Sequence, residues 1–276
     1  MYNQVIMIRN ILFISLTFIL IYSCKNEKAN EIHDLPKVSS KYACVPPITD
    51  SEWYKEDNIA PLLEGYDALD YKITTNNPLV QRYFNQGMVL AYGFNHAEAA
   101  RSFHYATKLD PNCAMAFWGF AYVLGPNYNA GMEDDNYERA YNAIQMALKL
   151  SSNVTQKEKE LIEVMALRYT EEPPKDRSQL DLQYSNALKS LHEKYQNDSE
   201  IGTLYVESLM NLHPWDLNEK DGSEKPWTIK IVNLLEQLIS QYPKHPGAHH
   251  FYIHAVEASN SPERSNKSAK IFDDGL

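Results

Sequence analysis

Apolar residues along the chain follow two rhythms. Residues 11–22, ILFISLTFILIY, are one continuous apolar run; from about residue 78 onward, apolar positions recur every three or four residues between polar ones. The second rhythm belongs to α-helices that bury one face, and strand-like alternation is absent. PLVQRYFNQGMVLAY, HAEAARSFHYATKL, YERAYNAIQMALKLS, SEIGTLYVESLMNL and IKIVNLLEQLISQYP therefore read as helices, with Pro, Asn and Asp in the connections. Two connections are long, GPNYNAGMEDDN and HPWDLNEKDGSEKPW. Between the two regimes, residues 24–59 are polar and lack a helical period, which predicts a flexible tether. The expected layout is 1–23 as an export signal, 24–59 as tether and 60–276 as a helical domain.

The helices repeat in pairs. When one unit is counted from Val80, small Gly87 falls at position 8 and Ala99 at position 20. Phe103 follows at position 24, Ala106 at 27 and Pro111 at 32. Small residues let paired helices approach, a Phe fills the gap to the next pair, and Pro ends the second helix. This pattern resembles the tetratricopeptide (TPR) repeat, with Tyr83 and Gln86 departing from it. Looser units follow, the last incomplete. The blocks GFNHAEAARSF and HPGAHHFYIHAVEAS are similar to those of bacterial TPR envelope proteins, which typically run longer. The chain is read either as a short member of that group or as a truncated reading frame. The resemblance implies an all-α solenoid of antiparallel helix pairs, about four and a half of them.

The apolar run is short of the roughly 20 residues that span a bilayer, and it follows Arg9, as an export signal does. It ends in Leu20-Ile21-Tyr22-Ser23-Cys24, which resembles a bacterial lipobox and implies lipid attachment at Cys24. The alternative is an ordinary cleaved signal with a cysteine nearby. The expected location is the bacterial cell envelope, with the folded domain periplasmic or surface-exposed. Cys44 and Cys113 are read as unpaired thiols, since one lies in the tether and the other in a helix hairpin.

A formal net charge of −10 with no local basic cluster disfavours nucleic-acid partners. No nucleophile elbow, phosphate-cradling loop or zinc-protease motif occurs, so a non-enzymatic role is expected, with no required cofactor. The chain is rich in tyrosine, with 19. TPR resemblance implies binding of a protein or peptide in a concave groove. That groove would be lined by Phe84, Met88, Tyr92, Met115, Trp118, Tyr122, Tyr205, Leu209 and His213. The same aromatics buried by neighbouring turns or by the two long loops are the competing reading.

A second constellation is His250, His254 and Glu257. At 100° per residue these project from one helix face within about 60° of one another. Two imidazoles spaced i, i+4 can share Zn²⁺ or Cu²⁺, with a carboxylate one turn later. His213 is the expected extra ligand. His249 is read as a core histidine, and His96 as remote from the cluster in a linear solenoid. The rival function is accordingly metal binding on the last helix.

Overall fold

A computed structural model describes residues 51–55, 58–66 and 69–273. The export signal, Cys24, Cys44 and most of the tether lie outside them. The described residues are helical with no strand, only two isolated β-bridges. The helices are α1 (Ser51–Lys55), α2 (Pro78–Tyr92), α3 (His96–Leu109), α4 (Ala114–Leu124) and α5 (Asn136–Leu150). There follow α6 (Gln156–Ala166), α7 (Ser178–Lys194), α8 (Ser199–Asn211), α9 (Pro226–Gln241), α10 (Pro246–Val256) and α11 (Asn266–Asp273). None is long and apolar enough to cross a membrane.

Local chemistry sets the helix starts. Asn77 caps α2, its side chain accepting from Leu79 N, and Pro78 fills the first turn where no N–H is needed. Thr155 and Glu158 form a reciprocal capping box on α6. The Asp198 side chain caps α8, and the His245 ring caps α10 ahead of Pro246.

Helices pack in adjacent pairs, α2 with α3, α4 with α5, α7 with α8 and α9 with α10, as an all-α, solenoid-like succession. The small-residue register has a direct physical expression. A Cβ at Gly87 would sit 2.6 Å from the Phe103 ring, and one at Gly119 would sit 2.3 Å from it. Phe103 is thus wedged between the first and second pairs, in a slot that two glycines keep open. Gly202 plays the same part against Leu238, at 2.7 Å.

Two features depart from the sequence reading. The packed structure begins before residue 60. Trp53 and Tyr54 lean edge-on against His104, and the Ala60 carbonyl accepts a 2.7 Å hydrogen bond from buried Tyr83. Aromatic area outweighs the polar composition of that stretch. The succession of pairs also curves until α10 packs against α2, so the first and last pairs meet.

Candidate functional site

That meeting decides where the expected groove residues lie. Phe84, Met88, Tyr92, Met115, Trp118, Tyr122 and Tyr205 are all buried. Leu209 and His213 are half-buried. The row faces inward, where the first helices of successive pairs close on one another. Trp118 donates to the Leu161 carbonyl at 3.2 Å, and Tyr205 stacks on His192. The physical reason is curvature: with α10 against α2, the concave side becomes interior.

Polar groups that the repeat pattern does not reveal stitch this interior. Glu200 accepts from the Tyr92 hydroxyl and from His245 Nε2 at 2.7 Å, while His245 Nδ1 accepts from Ala248 N. The ring proton of His245 that faces Glu200 is therefore on Nε2. Glu207 accepts from the Tyr122 hydroxyl at 2.6 Å and from Asn211 at 3.3 Å. Burial pushes the Glu207 carboxyl up, against the pull of nearby Arg168, and pushes both phenols well up as well. Arg168 is buried, donating to the Tyr122 and Pro126 carbonyls and lying over the Tyr184 ring at 4.8 Å. The sequence signals for this network are weak. They amount to acidic residues at apolar-face positions of α8 and one arginine just beyond α6.

The histidines of α10 divide as a helix dictates. His249 turns into the core, with Nε2 donating to the Pro243 carbonyl at 3.0 Å and Nδ1 accepting from Ser268 at 2.9 Å. His250 and His254 share the opposite face. His250 Nδ1 lies 2.6 Å from the Tyr92 carbonyl at the end of α2, and its Nε2 lies 3.2 Å from His254 Nε2. His254 Nδ1 lies 2.8 Å from Glu257 Oε1. Burial holds the His250 ring below the usual histidine range. Glu257 therefore stands behind His254, on the far side from the paired Nε2 atoms. In this arrangement it meets the ring's other nitrogen and does not join the paired Nε2 atoms as a third ligand.

No group of three or more His, Cys, Asp or Glu side chains able to hold a metal ion converges among the described residues. His213, the expected extra ligand, instead stacks flat on Trp227 at 4.1 Å. His96 is closer to the pair than a linear stack implies. It stacks on Phe94, whose ring lies 4.9 Å from His250 and 5.3 Å from His254.

Aromatic residues from two connections pack against this pair, and one from a third stacks outside them. Phe94 comes from the α2–α3 turn, Tyr128 from the α4–α5 loop and Trp215 from the α8–α9 loop. Tyr128 lies 6.1 Å from His254, and Trp215 stacks on Tyr128 at 5.3 Å. Burial, with Glu257 adding to it, pushes the Tyr128 hydroxyl up to about 12. Phe94 and Trp215, both at φ 57°, are the non-glycine residues with positive φ among the described ones. A bulky residue there costs on the order of 1–3 kcal/mol, and such strain gathers at functional sites. Trp215 is nonetheless 63% exposed. The two long connections thus meet at a rim beside the His250–His254 face.

No protein-family model matches the chain, and no curated protein or solved structure matches it either.

Proposed function

We propose that the chain is a TPR-type, non-enzymatic binding protein of the bacterial cell envelope. In this reading it is held at the membrane by a lipid on Cys24. It recognises a protein or peptide at the aromatic rim of its two long loops rather than along its concave face. One observation carries the choice of surface: Trp215 is exposed, strained in backbone and stacked on Tyr128, while the expected groove aromatics are buried. A large ring stacked on a neighbour at the surface supplies contact area at little entropic cost. The in-register small residues around Phe103 support the repeat assignment. The lipobox-like Leu20–Cys24 supports the anchor.

Site-specific photo-crosslinking in native membranes tests the surface. A photoreactive residue at 215 should yield a discrete protein adduct that the same probe at Lys189, on α7, does not. Equal labelling from both positions removes the rim as the recognition site. In the same cells, Cys24→Ala should move the chain from the membrane fraction to the soluble one.

A further inference from the structure

Hydrogen bonding fixes the tautomers of the α10 pair, and the result is a conflict that a cation resolves. A carbonyl only accepts, so His250 carries its proton on Nδ1, toward Tyr92, and turns the Nε2 lone pair outward. The Glu257 carboxylate likewise accepts, so His254 carries a proton on Nδ1 and turns its own Nε2 lone pair outward. Two lone pairs then face each other across 3.2 Å. That conflict is relieved by an additional proton between the nitrogens, or by a metal ion seated off the line that joins them, where both bonds can reach their usual length.

The distance admits the ion, and the surroundings favour it. Two nitrogens 2.0–2.1 Å from one ion at a near-tetrahedral angle stand about 3.3 Å apart. The outer partners, a backbone carbonyl on one ring and a carboxylate on the other, are those that fix metal-bound imidazoles. Phe94, strained in backbone, packs against both rings, which gives an independent mark of function.

We propose that His250 Nε2 and His254 Nε2 bind one divalent transition-metal ion of the zinc, copper or nickel type, with Glu257 and the Tyr92 carbonyl as orienting outer partners. The remaining coordination positions face the rim and are filled by water or by a donor from a bound molecule. This site stands apart from the binding reading above, since it needs no protein partner.

The test uses the full chain, purified without a polyhistidine tag and stripped with chelator, then titrated with Zn²⁺ and with Cu²⁺ by calorimetry. One equivalent should bind with a Kd of about 1 µM or tighter. His254→Gln should weaken it by about a hundredfold, and Glu257→Gln by about tenfold, as loss of an outer partner does. His213→Gln, which alters a histidine away from the pair, should leave it unchanged. Cu²⁺ should also show a nitrogen hyperfine pattern from two imidazoles, which His254→Gln reduces to one. Absence of binding at this level overturns the proposal and leaves a shared proton between the rings. So does affinity unchanged in His254→Gln with helical content intact.

Discussion

His96 has little to gain from being charged in the folded chain. It is buried against Phe94 with neither ring nitrogen in hydrogen-bonding geometry, the backbone of Val123 being the polar group beside it. Burial first, and the Arg168 charge second, lower its pKa from 6.5 to about 4, a gap that corresponds to ~3 kcal/mol. The unfolded chain therefore takes up this proton more readily than the folded one. The stabilising contribution is complete above about pH 6.5 and disappears as the pH falls toward 4. Burial lowers His104 to about 4 as well, and lowers His192, His213, His249 and His250 in the same direction. His96→Phe, which keeps a ring against Phe94, should move the midpoint of acid unfolding to lower pH in a circular-dichroism titration. An unchanged midpoint would show that His96 is not a group whose protonation unfolds the domain.

At the scale of helices, caps tie the pairs together as well as starting them. Glu158 closes the α6 capping box and also accepts from Thr74 N and Thr74 Oγ1, both at 2.6 Å, across 84 residues of sequence. Thr155→Ala should cost about 1 kcal/mol, as loss of one cap does. Glu158→Ala strands the Thr74 amide as well and should cost roughly 2–3 kcal/mol, read from denaturant unfolding. Equal costs for the two would mean that the long-range bond adds nothing.

Pairing was legible in the sequence, because Gly87 and Ala99 mark close approach, whereas the caps at Asn77, Thr155 and His245 emerged with the structure. The Thr74–Glu158 bond was not legible, since nothing local to either residue announces the other. The placement of Trp53 and Tyr54 against the core was missed for a similar reason. A short aromatic pair within a polar stretch carries no period.

For the whole described domain, curvature is what the sequence could not give. Repeat register fixes how each pair meets its neighbour, but a small change in rotation per pair decides whether the concave side stays open. That is why Tyr92 and Tyr122, expected to line a groove, instead bond to Glu200 and Glu207. It is also why His96 approaches the α10 face. The histidine pair itself was legible from i, i+4 spacing, whereas the true station of Glu257 needed the ring orientation. An open stack of repeats couples only neighbouring pairs. Contact of α10 with α2 adds a coupling between pairs far apart in sequence. Tyr92→Phe leaves a Glu200 oxygen without its hydroxyl and should cost on the order of 1–3 kcal/mol. Amide exchange should quicken in α10 more than in α5, which has no part in that junction. Uniform acceleration across all helices would contradict it.

The bond from His250 Nδ1 to the Tyr92 carbonyl joins the last helix pair to the first. It makes α10 a seam, with ring nitrogens on its outer side and the last turn of α2 on its inner side. Any ligand that grips those nitrogens more strongly when the seam is shut must, by thermodynamic reciprocity, tighten the seam by the same factor. The stiffness of the array and the occupancy of that face are then two readings of a single equilibrium.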